Sequence, residues 1–158
     1  MNWKPALVII CLLIAPEMVD AQQISPVSNP TGSTITVDTA DFYNWQTPIN
    51  PFLNSGTINI TSAGTLSNQA DSVSFAEVLN SGTINNSGIF DNARFGPDSF
   101  ALFKNITGQI NNQQGGQFQN AGSLISNGTF INNGGSTLIN SSGGTFASSG
   151  TLTFHADS

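Results

Sequence analysis

Single apolar residues recur at short intervals through the second half of this chain, in stretches that are otherwise polar. Seven of them follow one another at steps of six to eight residues: Ile110, Phe118, Leu124, Phe130, Leu138, Phe146 and Leu152. Each is closely flanked by Asn, Ser, Thr or Gly, so the segments between turn residues are too short for helices. The pattern therefore predicts short strands separated by tight corners.

A longer repeat is built from three such steps. The sequence Leu53–Asn59 recurs identically as Leu79–Asn85. The Gly-x-apolar step inside it returns along the series Gly56, Gly82, Gly108, Gly128 and Gly150. Each repeat of about 20–26 residues has room for three short strands and three corners. This is the composition of one coil of a parallel β-helix. We predict an all-β fold, a parallel β-helix (β-solenoid) of about five short coils.

Stacked coils place equivalent residues of successive coils about 4.8 Å apart. The Asn residues near the corners are then expected to form ladders in which side-chain amides bond from coil to coil. Asn and Gly also tolerate left-handed backbone conformations, which we expect at the corners. The predicted interior column consists of Ile58, Ile84, Ile110, Phe130 and Leu152.

Two other structures fit a chain of this composition. One is a Gly/Asn/Ser-rich segment that never folds, and the other is an antiparallel β-sandwich with Gly-rich turns. Disorder gives no reason for apolar residues to stay in phase from residue 53 to residue 154. A sandwich favours longer strands with strict alternation, which this chain mostly does not have.

The chain divides into three parts, of which residues 53–158 carry the Asn/Gly-rich solenoid repeats. Residues 22–52 are predicted to cap the first coil, because the end of a solenoid otherwise exposes unpaired backbone groups. This cap contains a strand candidate, Ser33–Val37, and an aromatic cluster, Phe42–Trp45. The cluster is expected to pack over the first coil, and the alternative is a platform on which carbohydrate stacks.

The segment from Met1 to Ala21 has the pattern of a secretory signal peptide. Lys4 precedes the apolar run Ala6–Ala15, Pro16 ends it, and small residues follow at Val19 and Ala21. This run covers about 15 Å as a helix, half of the hydrocarbon core of a bilayer. We therefore predict cleavage after Ala21, a secreted or cell-surface protein, and no transmembrane span in the mature chain.

Charge is scarce, since only 8% of the 158 residues are Asp, Glu, Lys or Arg and the formal net charge is -6. With 3 basic residues, electrostatic binding of nucleic acid is excluded as a function class. Stacking accounts for the shortage, because a column of identical charges would repel. We expect the charges mainly in the cap and in two long loops, residues 68–74 and 92–98, and none occurs from residue 106 to residue 155.

Residues suited to chemistry are few. Asp71 and Asp98 lie in corresponding loops and could hold a calcium ion together with Asp91. No calcium-loop pattern is present, so solvated loop carboxylates are the favoured interpretation. His155 has no recognisable nucleophile partner, and Cys11 lies within the signal peptide. We predict no catalytic, cofactor-binding or metal-binding residues, no cofactor and no enzyme activity.

The runs Asn80–Asn92 and Asn120–Gly134 resemble the Asn-x-Gly-x-apolar-x-Asn repeats of bacterial secreted β-helix proteins. These are the passengers of filamentous-haemagglutinin-like proteins and autotransporter adhesins. The resemblance covers residues 53–154 and lies in composition and period. It implies a stalk or adhesive protein that is displayed on a surface or released from the cell.

The expected function is therefore that of an exported, non-enzymatic structural or adhesive protein. Its expected partners are surface glycans, or further copies of itself through open solenoid ends, and not nucleic acid. The main alternative is a self-assembling extracellular fibre or matrix subunit, because residues 150–158 form no obvious polar cap. Further alternatives are a polysaccharide-acting β-helix enzyme and an ice-binding protein, whose regular rank of Thr would here be interrupted by Gln109.

Overall fold

The computed structural model describes residues 28–38, 42–44, 51–70, 75–94, 100–141 and 144–156. The predicted signal peptide, much of the predicted cap, Asp71 and Asp98 lie outside these ranges. The described residues form short strands and no helix. The strands are β1 Ser28–Asn29, β2 Thr34–Val37, β3 Phe42–Asn44, β4 Phe52–Asn54, β5 Thr57–Ile60, β6 Thr65–Ala70, β7 Phe75–Asn80, β8 Thr83–Asn86, β9 Ile89–Arg94, β10 Phe100–Asn105, β11 Gln109–Asn112, β12 Gln117–Asn120, β13 Ser123–Ser126, β14 Thr129–Asn132, β15 Thr137–Asn140, β16 Thr145–Ser148 and β17 Thr151–Phe154.

These strands form three sheets, each of which takes every third strand of the chain. Sheet 1 has the order β1-β4-β7-β10-β13-β16, sheet 2 the order β2-β5-β8-β11-β14-β17, and sheet 3 the order β3-β6-β9-β12-β15. Neighbouring strands are parallel in all three sheets, as between β8 and β11. One strand from each sheet makes one coil, so the described strands form five full coils followed by β16 and β17. The predicted parallel β-helix is confirmed.

The register between coils follows the sequence repeat. Partner residues are 26 positions apart between β8 and β11, 20 between β11 and β14, and 28 between β9 and β12. The predicted interior column of sheet 2 is in register throughout, and Ile35 extends it by one coil. The coil length changes at the corners, which leaves the strands stacked residue on residue.

The solenoid begins earlier than the predicted boundary between residues 52 and 53. Strands β1, β2 and β3 lie within the predicted capping segment, yet they pair in parallel with β4, β5 and β6. Strand β2 matches the strand candidate Ser33–Val37. The sequence repeat is hidden in this coil because its first corner, residues 30–33, is two residues longer than the corner Ser55–Gly56, and Ser33 replaces the recurring glycine.

The core is formed by one inward column of large apolar residues from each sheet. Phe90 and Phe118 of sheet 3 stack with ring centroids 4.4 Å apart, and Phe103 of sheet 1 contacts Phe90 edge-on at 5.0 Å. The three columns therefore meet across a narrow interior that side chains fill. Its fully buried large side chains are Phe52, Phe90, Phe103, Phe118, Phe130, Ile58, Ile60, Leu66, Ile84, Ile110, Leu124 and Val37.

Amide ladders line the three corners, as predicted. In each ladder the Nδ2 of one Asn donates to the Oδ1 of the Asn in the next coil, at 2.6–2.8 Å. The same Nδ2 also donates to a backbone carbonyl, for example from Asn92 to the Ser123 carbonyl at 3.1 Å. All members are buried except Asn140. The ladders are Asn29-Asn54-Asn80-Asn105, Asn86-Asn112-Asn132 and Asn68-Asn92-Asn120-Asn140.

The corners do not use left-handed conformations in the way we predicted. Among the described residues no Asn has a positive φ, and only Gly32, Gly115 and Gly135 do. The recurring glycines are explained by close approach instead. A Cβ on Gly128 would contact the backbone carbonyl oxygen of Gly108 in the preceding coil. That same oxygen accepts a hydrogen bond from the Thr129 amide at 3.0 Å, so neither backbone can move away.

We expect Ile110→Lys to unfold the solenoid. Ile110 is fully buried between Ile84 and Phe130, and an unpaired buried charge costs several kcal/mol of a total stability of about 5–15 kcal/mol. Phe130→Asp should act in the same way. The matched control is Gln109→Lys, which places the same charge one residue earlier on the exposed side of β11. Far-UV circular dichroism and thermal melting provide the test, and a wild-type melting curve for Ile110→Lys would contradict the stacked core.

Candidate interaction surfaces

The outer face of sheet 2 is polar and uncharged, and we call it the polar face. Residues that alternate with the interior column form two columns along it, in the register of the strands. Apart from Ile131, all of their side chains carry a hydroxyl or an amide group. The first column is Thr34, Thr57, Thr83, Gln109, Thr129 and Thr151, and the second is Thr36, Asn59, Asn85, Asn111, Ile131 and Thr153.

Several amides of the polar face are held in place by one another. Asn85 donates from Nδ2 to Asn59 Oδ1 at 2.9 Å, and Asn111 donates to Asn85 Oδ1 at 2.8 Å. Gln109 donates from Nε2 to Asn111 Oδ1 at 2.8 Å. Equivalent groups repeat about every 4.8 Å along the solenoid. The face can therefore offer a row of neutral donors and acceptors to an extended polar ligand, and Gln109 interrupts the rank of Thr as the sequence indicated.

The outer face of sheet 1 is mainly apolar, and we call it the apolar face. Phe100 is 60% exposed, Leu53 45% and Phe75 39%, and these are among the most exposed large apolar residues in the described ranges. Phe75 and Phe100 are direct neighbours in register at the starts of β7 and β10. The outer apolar residues of this face are Leu53, Phe75, Leu79, Phe100, Leu102, Ile125 and Ala147.

An ion pair lies within the apolar face. Lys104 Nζ is 2.9 Å from Glu77 Oε1, and the two side chains belong to adjacent coils. The expectation that charges lie mainly in the cap and the long loops is thus wrong for Glu77 and Lys104, as it is for Asp91 on β9. Opposite charges attract across the coil spacing, so this pair is tolerated where like charges would repel.

The third face, on sheet 3, is of mixed character and holds Asp91. Asp91 stands in register between Ser67 and Gln119. Partial burial raises the pKa of Asp91 above its usual range, because removal from water disfavours the carboxylate. Among the described residues no group of three or more His, Cys, Asp or Glu could hold a metal ion. Asp71 and Asp98, the other residues of the considered calcium site, lie outside those residues, and His155 is exposed after β17.

The two ends of the described solenoid differ in exposure. In the first coil Val37 is fully buried, whereas in the last coil Leu152 is 38% exposed and Phe154 is 58% exposed. Strands β15, β16 and β17 are the edge strands of the three sheets at this end. At this end, the inward-facing side chains Leu152 and Phe154 of β17 are exposed to solvent.

The sequence carries a signal for the apolar face that the repeat by itself does not predict. Strands β7 and β10 carry apolar residues on both faces, as in Phe100-Ala101-Leu102-Phe103. Strands of sheet 2, such as β8 with its single apolar residue Ile84, mostly do not. Two-sided apolar strands therefore distinguish sheet 1, but only the register shows that their outer residues form one surface.

Comparison with known proteins gives no matching family model, no matching curated protein and no matching solved structure. Within the described residues, no helix has the length and apolar character needed to cross a membrane.

We expect Asp91→Asn to stabilise the protein at neutral pH. The folded-state pKa of Asp91 is raised, so its carboxylate lowers stability above that pKa, and the loss disappears as the pH falls below the unfolded-state pKa of about 4. The variant should melt a few degrees higher than the wild type at pH 7, and the difference should shrink toward zero near pH 3. Thermal melting across this range is the measurement. A difference that does not change with pH would rule out desolvation as its cause.

Proposed function

We propose that this protein is an exported, non-enzymatic structural or adhesive β-solenoid that acts at the cell surface or in the extracellular space. The polar face carries the proposal. It presents two parallel columns of side chains on one sheet, all of them neutral and all but Ile131 carrying a hydroxyl or an amide group. Such a surface matches an extended, uncharged, polyhydroxylated ligand such as a surface glycan.

Rigidity supports an adhesive role for the polar face. The amides of Asn59, Asn85 and Asn111 are ordered by mutual hydrogen bonds, so little side-chain entropy is lost when a ligand binds. Each contact to a glycan hydroxyl is weak, but equivalent contacts recur on every coil. A ligand that itself repeats can engage several of them together, which multiplies a small affinity.

Export is supported by the sequence. The segment from Met1 to Ala21 has the signal-peptide pattern, and Cys11 within it is the chain's single cysteine. The solenoid therefore needs no disulfide and gains its stability from backbone ladders, amide ladders and the apolar core. The resemblance of residues 53–154 to adhesin passengers points in the same direction.

The test is retention of the purified protein on insoluble neutral polysaccharides. We expect the triple variant Thr57→Ala, Asn85→Ala, Gln109→Ala to bind at least about tenfold more weakly, because three hydrogen bonds of about 0.5–1.5 kcal/mol each are lost. The control carries Gln117→Ala, Gln119→Ala and Thr137→Ala on the outer side of sheet 3 and should bind like the wild type. Binding should also be insensitive to NaCl, because the face is uncharged. Equal retention of both triple variants would contradict the proposal.

A self-assembling extracellular fibre or matrix subunit is the second candidate. The exposure of Leu152 and Phe154 favours it, because edge strands with uncovered interior columns can continue the stack on another molecule. Assembly of this kind is a head-to-tail contact and grows without limit.

Light scattering and electron microscopy over several days separate the two candidates. Under the fibre hypothesis the scattering intensity of the wild type rises and filaments form, and Leu152→Lys prevents both by placing a charge in the stacking column. Gln109→Lys on the polar face is the control and should not affect growth. A wild-type protein that stays at low mass contradicts the fibre hypothesis.

A further inference from the structure

We propose that the apolar face is a homodimer interface, in which a second copy of this chain packs through the same face about a twofold axis. The inference is independent of what the polar face binds. Three of the seven most exposed large apolar side chains in the described ranges lie on the outer face of sheet 1, namely Phe75, Phe100 and Leu53, each at least 39% exposed. An apolar surface of this kind on an otherwise polar rod is typical of a protein interface.

The arrangement of the Glu77–Lys104 ion pair favours a second copy of this chain as the partner, because it is complementary to itself. Lys104 stands in register with Leu79, two residues beyond Glu77 on the neighbouring strand, so the two charges lie diagonally across two coils. Consider a twofold axis in the plane of the face, midway between Glu77 and Lys104 and perpendicular to the line that joins them. This axis brings Glu77 of each copy opposite Lys104 of the other. The four charges then alternate in sign, and the interface carries no net charge.

The same axis also pairs the apolar residues. Outer residues are about 6.6 Å apart along a strand and about 4.8 Å apart between coils. At these spacings the axis places Phe75 opposite Ile125 of the second copy, and Phe100 opposite its Ala147. Leu79 and Leu102 lie close to the axis and meet their own counterparts. A twofold interface has to be complementary to itself, and this face meets that condition in both charge and apolarity.

The other two faces do not meet this condition. The polar face has no charged pair and, in its two columns, one apolar residue, Ile131. The mixed face holds Asp91, and its described outer residues include no basic partner for that charge. The apolar face covers roughly 20 Å by 20 Å, so a dimer buries about 800 Å² in total, a size typical of weak, transient interfaces. The dimer is therefore concentration-dependent.

The test is sedimentation velocity of the purified protein, expressed as the full chain, over a wide concentration range. We expect a monomer–dimer equilibrium for the wild type. Glu77→Lys and Lys104→Glu should each weaken dimerisation at least tenfold, because each places four like charges at the axis. A one-to-one mixture of these two variants should dimerise again within about threefold of the wild type, since each lysine then faces a glutamate. Restoration on mixing cannot arise from the ion pair inside one copy.

A second pair of variants keeps the test valid if a charge change impairs folding. Phe100→Ser removes an exposed apolar residue from the interface and should weaken dimerisation at least tenfold. Ile139→Ser, at a residue 40% exposed on the outer side of sheet 3, should leave dimerisation unchanged. A monomeric wild type at every concentration, a mixture that stays monomeric, or Phe100→Ser that dimerises like the wild type would each overturn the proposal. Growth beyond the dimer that Leu152→Lys abolishes would assign self-association to the solenoid end instead.

Discussion

The structure depends on one constraint, which is that paired strand residues of one coil lie directly against their equivalents in the neighbouring coils. At the spacing of about 4.8 Å between parallel strands, a residue type is tolerated only if its side chain can lie in contact with another side chain of the same type. Apolar residues satisfy this condition by packing, and asparagine satisfies it because its amide both donates and accepts. Glycine satisfies it where two backbones approach closely, as at Gly108 and Gly128. Isolated charges do not.

The amide ladders show how this constraint acts on the energy of the fold. Inside a ladder each Asn donates from both of its N–H groups and accepts at its side-chain oxygen, so every buried polar atom of its amide is hydrogen-bonded. Within the described part of the chain, the Oδ1 atoms of Asn68 and Asn86, at the start of two ladders, have no hydrogen-bond partner, which costs about 1–3 kcal/mol each. The position before Asn86 in its column is Ile60. Because this cost occurs at the start of a ladder while the interior rungs are fully bonded, long ladders are favoured over short ones.

The outer surface obeys the same constraint and thereby divides into distinct faces. The two outer columns of sheet 2 stay polar from coil to coil apart from Ile131. The outer face of sheet 1 is mainly apolar, although Leu102 is followed in its column by Ser123 and Thr145. The exceptions are informative. Glu77 and Lys104 form an ion pair because they are opposite in sign. Asp91, for which the described side chains give no such partner, has a pKa raised by burial. One rod thus has a neutral hydrogen-bonding face, to which we propose that a glycan binds, and an apolar face, on which we propose that a second copy packs.

The sequence by itself determined the periodic part of this protein. The parallel β-helix, the interior column from Ile58 to Leu152 and the amide ladders all follow from which residue types recur at which spacing, because stacking requires like residues in phase. The tertiary structure decided what does not recur. It placed β1–β3 in the first coil although a longer corner hides their repeat, and it assigned the glycines to close backbone contact rather than to left-handed corners. It also gathered Phe75, Phe100 and the Glu77–Lys104 pair on one face, because the identity of a face depends on register between strands that are distant in the chain.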